Sequence, residues 1–278
     1  MNLVNYIILL SLLVGLSSCQ KEEKIHLNTP KLDVTVTTGL DVDHVNIWVN
    51  DPLKAKEKLT EIGFTSVPDS LSQIHEGQGT SGRYFYFLNA YLELIFVHDQ
   101  NELVKNSQKN KKLDFVERAS FKENGASPFS MALKMKDYNT EKIPFEKVRY
   151  HQDWMKEDAY IYAASNSKLN LEEPSIFVVY PEIESDSFAT MSDLKKIPEE
   201  YSFVRDFYNH PNGAQKITRI NITSTDLNKE TKTMKAINGI ENVTVQKGKE
   251  HLMELYFDNQ LQKKSFDLRP ELPLIIYL

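Results

Sequence analysis

Cysteine, glycine, proline and surplus positive charge are all scarce in this chain. Of 278 residues a single one is cysteine, so no internal disulfide can form and no cysteine-rich zinc cluster can be assembled. Ten glycines and eleven prolines fall below average usage, which excludes collagen-like and linker-dominated chains. Lysine and arginine number 33 against 39 aspartates and glutamates, a net charge of −6. No basic surplus drives tight phosphate-backbone binding, so nucleic acid is not an expected partner. Nucleophile-elbow and glycine-rich phosphate motifs are also missing. What is present is 41% hydrophobic and 10% aromatic residues, enough for a packed core. The length fits one large domain or two small ones.

The lone cysteine, Cys19, ends an apolar N-terminal stretch. Residues 3–16 are mostly apolar, a run too short to span a hydrocarbon layer of about 30 Å. Leu16-Ser17-Ser18-Cys19 follows and resembles the lipobox of bacterial lipoproteins. That resemblance implies a signal peptide over 1–18 and an acylated Cys19 held in the lipid bilayer of the cell envelope, in the outer membrane rather than the inner. One departure is the segment Met1–Tyr6, which has no lysine or arginine. From 19 to 41 the chain reads as a flexible tether, polar and without aromatics after Cys19. Its acidic residues resemble the surface-export signal of lipoproteins from the Bacteroidota, and a solvated spacer accounts for them equally well.

The folded part opens on alternation. Val45, Ile47 and Val49 alternate with His44, Asn46 and Trp48, the period of a strand with one apolar face. Asp51-Pro52 then caps a helix with Ala55, Leu59 and Ile62 on one side and Gly63 at its end. Strands are expected at Phe64–Val67, Arg83–Leu88 and Tyr91–Val97, the last two joined by a tight Asn89-Ala90 turn. Residues 42–99 therefore form a βαβββ module. A second copy is expected over 215–278: a strand from Ile217, a helix opening at Asp226 and closing at Gly239, strands at Val243–Val245 and Leu252–Phe257, and an apolar final strand. Between them lie a reduced middle module, 127–182, with strands at Phe129–Asp137, Tyr160–Tyr162 and Pro174–Tyr180, and a linker, 183–214.

In this order, Asp43-His44-Val45, Ile62-Gly63-Phe64, His75 with Gly79-Thr80, and Tyr91-Leu92-Glu93-Leu94-Ile95 resemble a glyoxalase-like domain of the vicinal oxygen chelate superfamily. His210-Pro211-Asn212-Gly213-Ala214 resembles a motif of its longer members. The resemblance implies an α+β fold whose repeated βαβββ modules curl mixed sheets around a cleft. It also implies a divalent metal, with Zn, Fe, Mn and Ni all suited to imidazole and carboxylate donors. His44 and Glu93 fall on the metal-ligand positions of that pattern.

The rest of a four-ligand set is missing. Arg219 stands where the C-terminal module would place its histidine, and a guanidinium cannot ligate a metal. Ser130 takes that place in the middle module, and the closing strands are apolar. His75 could complete a three-ligand site with His44 and Glu93. Equally, His44 could simply hydrogen-bond within the cleft and Glu93 could pair with Arg83. Asn46, Trp48, His75, Arg83 and Arg219 are the candidate pocket residues. Two functions remain open: a lipid-anchored protein that binds a small molecule in its cleft, and a metal-dependent enzyme of lyase, dioxygenase or thiol-transferase type.

Overall fold

The computed structural model describes residues 39–228 and 230–278. The expected leader, the lipidated Cys19 and all but the last residues of the tether lie outside them. Among the described residues no helix is long and apolar enough to cross a membrane.

The first module is built as the alternation dictates. Strand β1 (Leu40–Trp48) buries Val45 and Ile47 on one side. Helix α1 (Pro52–Glu61) starts where the Asp51 side chain accepts from the Lys54 amide at 3.0 Å, and it buries Ala55 and Leu59 against that side. Gly63 leaves the helix at φ +88°, a conformation only glycine adopts freely. No strand forms at Phe64–Val67, whose one ladder-like bond runs from the Val67 amide to the Tyr84 carbonyl. The second strand comes later, as β2 (Ile74–His75), followed by β3 (Thr80–Tyr86) and β4 (Tyr91–Val97). Strand β4 returns to lie parallel to β1, with Asn46 beside Glu93 and His44 beside Tyr91.

Helices α2 (Gln100–Lys109), α3 (Phe115–Ala119) and α4 (Phe121–Asn124) connect to the middle module. Asp99 is the N-cap of α2 through bonds from the Asn101 and Glu102 amides. Then come β5 (Phe129–Met135), β6 (Lys147–Tyr150), β7 (Ile161–Ala164) and β8 (Ser175–Val178). The middle module is what pairs with the first. Strand β5 runs antiparallel to β1, and one eight-stranded sheet results, in the order β2-β3-β4-β1-β5-β8-β7-β6. Each half reads outward the same way, with its first strand parallel to its fourth. The sheet curls until its two edges meet: the Tyr150 hydroxyl at the end of β6 donates to Gln78, beyond β2, at 3.1 Å.

The C-terminal segment makes a separate five-stranded sheet from β9 (Ile217–Ser224), β10 (Val243–Lys247), β11 (Leu252–Phe257), β12 (Ser265–Asp267) and β13 (Leu274–Tyr277), with helix α5 (Lys232–Ile237) after β9. Its order is β10-β9-β11-β13-β12, so β9 and β10 form a parallel strand–helix–strand unit, unlike the first module. Asp226 does not cap the helix. It sits at φ +53°, and Thr231 caps instead by accepting from the Met234 amide at 3.1 Å.

The two sheets share one apolar core, in which Phe64, Phe85 and Phe87 of the first meet Ile217, Ile220 and Phe257 of the second. The His-Pro-Asn-Gly-Ala motif fastens them. His210 Nδ1 accepts from the Thr65 amide and Nε2 donates to the Tyr86 carbonyl, both at 2.9 Å. Asn212 donates to the Ile62 carbonyl at 2.9 Å and accepts from the Ala214 amide at 3.0 Å. Burial lowers the His210 pKa to about 4, which keeps the imidazole neutral for this double role.

Candidate functional site

Strand pairing collects the polar residues on one face. His44, Asn46 and Trp48 project opposite to Val45 and Ile47, and the register adds Tyr91 and Glu93 from β4 and Tyr84 and Tyr86 from β3. The middle module contributes Ser130 and Ala132 from β5, and Ser175 and Phe177 from β8. This is the concave face of the curled sheet. His75, Tyr86, Tyr91 and Phe177 are half-buried at its opening; His44, Asn46, Trp48, Tyr84 and Glu93 are buried.

Rings dominate it. His44 stacks on Tyr91 with centroids 4.1 Å apart, and Phe177 meets His44 edge-on at 5.7 Å. Tyr86 lies 5.3 Å from Tyr91 and 5.7 Å from Tyr208 of the linker. His44 Nδ1 is held by Asp43 Oδ1 at 2.6 Å, while Asp43 Oδ2 accepts from the Ser185 amide at 2.7 Å and its hydroxyl at 3.0 Å. Burial lowers the His44 pKa in spite of Asp43. Burial also works to raise Asp43, but the bonds from His44 and Ser185 hold it below the usual carboxylate value.

Glu93 is the chemically unusual member. It is 4% exposed and accepts through Oε2 from Asn46 Nδ2. Burial pushes its pKa up to about 8, and the Tyr84 hydroxyl and Asn46 oppose the rise without overcoming it. Tyr84 has one proton for two neighbours, His75 Nε2 at 2.9 Å and the Glu93 carboxyl, and Glu93 Oε1 is left without a hydrogen bond. Asn46 Oδ1 and Trp48 Nε1 are unpartnered as well. Gly82 makes room for this group: a Cβ there would strike both Glu93 Oε1 and the Tyr84 ring. His75 is tied at both nitrogens, to Thr80 Oγ1 at 2.8 Å and to Tyr84, and burial lowers its pKa to about 4.

A polar chain leads outward from there. Thr80 Oγ1 accepts from Gln78 Nε2 at 2.7 Å, Gln78 Oε1 accepts from Tyr150, and Gln152 joins Tyr150 at 2.6 Å to Asn106 at 3.2 Å and the Gly77 carbonyl at 3.1 Å. Gln78, Tyr150 and Gln152 carry no signal in the sequence, because the contact joins opposite edges of the sheet. Tyr84, Tyr86 and Tyr91 share one face because Tyr84 and Tyr86 alternate along β3 and Tyr86 is paired with Tyr91 of β4.

The other expected pocket residues lie elsewhere. Arg83 is one position out of phase with Tyr84, so it points to the opposite side of β3 from Glu93. It pairs with Asp69 at 3.1 Å and lies over Phe96, and the Arg83–Glu93 pair does not form. Arg219 belongs to the other sheet, exposed and 3.6 Å above the Tyr256 ring, at the rim of a cavity of about 320 Å³. Neither this cavity nor a second of about 520 Å³ beside Lys147 and Arg149 touches Glu93.

A divalent metal fits these residues poorly. Among the described residues no group of three or more His, Cys, Asp or Glu side chains converges as a metal requires. Glu93 is beside Asn46, and His44 one pleat away is committed to Asp43. His75 Nε2 is 3.5 Å from Glu93 Oε1 but engaged by Tyr84, and the middle module offers only serine, alanine and phenylalanine.

The architecture is of the α+β class with curled mixed sheets built from paired modules. Residues 42–159 match the family model of a glyoxalase-like domain, a stretch that spans the first module and part of the second half-sheet. No curated protein matches the sequence. Among solved structures, a hypothetical protein from Staphylococcus aureus is similar over 85% of this chain and 98% of its own at 12% identity, with a TM-score of 0.48. Methylmalonyl-CoA epimerase from Mycobacterium tuberculosis is similar over 55% of this chain and 96% of its own, at 16% identity and a TM-score of 0.33. Methylmalonyl-CoA epimerase from Streptomyces coelicolor, in complex with 2-nitronate-propionyl-CoA, is similar over 52% of this chain and 97% of its own, at 14% identity and a TM-score of 0.34.

Proposed function

We propose that this protein is an envelope lipoprotein that binds a small molecule on the concave face of its eight-stranded sheet, by ring stacking and hydrogen bonds and without a resident metal. The observation that carries the binding reading is the set of unpartnered polar atoms, Glu93 Oε1, Asn46 Oδ1 and Trp48 Nε1, on neighbouring residues that face a row of aromatic rings. Buried groups of this kind are costly, on the order of 1–3 kcal/mol each, unless something answers them. A pocket of apolar and aromatic walls with a few polar groups is how small-molecule sites are generally made. Anchoring rests on Leu16-Ser17-Ser18-Cys19 after a short apolar run.

Two measurements test the reading. Incubation of the purified protein with Mn, Fe, Ni, Zn or Mg ions should leave substoichiometric metal after desalting, and His44→Ala should not alter what remains. One tightly held metal per chain, lost in His44→Ala and Glu93→Gln, would instead establish the metal-dependent enzyme. Cys19→Ser should abolish labelling by a radioactive or clickable fatty acid, and persistence of the label would rule out acylation at Cys19.

A further inference from the structure

The charge of the ligand can be read from what surrounds the cleft. Glu93, on the fourth strand of the first module, has no lysine or arginine within ion-pair distance among the described residues; its one such neighbour is His75 at 3.5 Å, itself tied to Thr80 and Tyr84. Asn46 spends its amide on Glu93, so the pair presents two unmet acceptors, Glu93 Oε1 and Asn46 Oδ1. Burial, and after it the nearby Glu93 and Asp43 carboxyls, raises the pKa of the half-buried Tyr86 and Tyr91 hydroxyls. Lys134, whose charge reaches His44, is bonded to the Ser185 carbonyl at 3.3 Å and Ser187 Oγ at 2.9 Å, and Arg83, whose charge reaches Tyr84, pairs with Asp69 at 3.1 Å.

An anion would find Lys134 and Arg83 already engaged by Ser187 and Asp69 and would meet the carboxyl groups of Asp43 and Glu93. A neutral ligand could stack but could not compensate Glu93 once that carboxyl ionises above about pH 8. A cation would answer both unmet acceptors at once, because an ammonium carries several donors and is attracted to the faces of tyrosine rings, and it would leave the Trp48 indole N–H unpartnered. We propose that the cleft takes a small organic cation, a primary ammonium on an aromatic or apolar body, with its nitrogen directed to Glu93 and Asn46 and its body against Tyr86, Tyr91 and Phe177. This rests on the cleft-binding reading above and narrows it to one ligand class. It separates the site from chelation of vicinal oxygens, which calls for anionic or neutral oxygen ligands on a metal.

Three probes of nearly equal shape decide it: benzylammonium, benzyl alcohol and benzoate, titrated calorimetrically at about pH 8.5, where the Glu93 carboxyl is mostly ionised, into the full-length protein in detergent. Benzylammonium should bind at least tenfold tighter than the other two, and Glu93→Gln, which keeps the side-chain shape, should erase the preference. Lys235→Ala, at an exposed position on helix α5 of the other sheet, serves as a folded control that retains it. If benzoate or the alcohol binds as well as the amine, or the preference survives in Glu93→Gln, the cation proposal fails while the cleft reading stands. If none of the three binds, both fall. Displacement of bound benzylammonium by Mn²⁺ or Zn²⁺ alone at micromolar concentration would overturn it in favour of a metal.

Discussion

Glu93 has Asn46 as its register partner and no cationic side chain in reach, so its ionisation is coupled directly to folding. The unfolded carboxyl titrates at 4.5 and the folded one at about 8. Between these values the native state keeps a proton that the unfolded chain has released, so stability is fully present below pH 4.5 and is lost as pH rises through 8. The shift corresponds to at most about 5 kcal/mol. His75 and His210 work in the other direction. Their pKa values fall from 6.5 to about 4, so the stability they contribute is present above pH 6.5 and is lost as pH drops toward 4. Urea unfolding as a function of pH should therefore show a maximum between about pH 6 and 7. Glu93→Gln should remove the decline on the alkaline side and steepen the rise on the acid side; an unchanged alkaline limb would mean that Glu93 is ionised in the native protein. At this scale the sequence was informative where phase decides: the alternation around Asn46 put His44, Asn46 and Trp48 on one face. It misled at Arg83 because charge suggested a partner for Glu93 that the strand period turns away.

Among elements, the turn after α1 and the linker motif are locked together. Gly63 adopts φ +88° with Asn212 packed against it, and an added Cβ would lie 3.0 Å from the Asn212 backbone nitrogen and Cβ. Gly63→Ala should cost about 1–3 kcal/mol through the left-handed backbone and that contact. Asn212→Ala should cost about 1–2 kcal/mol by leaving the Ile62 carbonyl and Ala214 amide unanswered. Because the two touch, the double variant should lose less than the sum, and strict additivity in chemical denaturation would contradict the contact. A stronger dependence is expected at α3. Arg118 is 1% exposed, pairs with Asp114 at 2.7 Å and donates to the carbonyls of Ser127, Ser167 and Leu171. Arg118→Met should destabilise by about 3–5 kcal/mol, since it strands Asp114 and three carbonyls; a loss below about 1 kcal/mol in denaturant titration would refute that role. Most strands were legible from period and turn residues. The start of helix α5 was not, because Asp226 looks like a cap whereas Thr231 is one, and β2 and β12 are too short to leave a periodic trace.

For the whole molecule, the pairing of modules was the feature hidden from the sequence. The C-terminal segment repeats the strand, helix and glycine of the first module in order, yet the partner of β1 is β5 of the middle module, which lacks the helix. Edge pairing is decided by which apolar faces are left uncovered, and a list of elements does not contain that information. The five-stranded sheet instead covers the far side of the first module, where Phe64 and Phe87 pack on Phe257 at 5.3 and 4.6 Å. The two sheets should therefore unfold in one transition, and Phe257→Ala should lower the stability of both by about 3–5 kcal/mol. Two separated calorimetric transitions would show independent domains. The central claim, a ligand on the face that holds Asn46, Trp48 and Glu93, has a direct reporter in the indole N–H of Trp48, which is buried and unpartnered, while the exposed Trp154 is an internal control. In a nitrogen–proton NMR titration with benzylammonium, the Trp48 indole and Asn46 side-chain amide signals should shift saturably while the Trp154 indole stays put. Saturable shifts confined instead to residues around Arg219 and Lys134, at the other cavity, would place the binding site elsewhere and contradict the account.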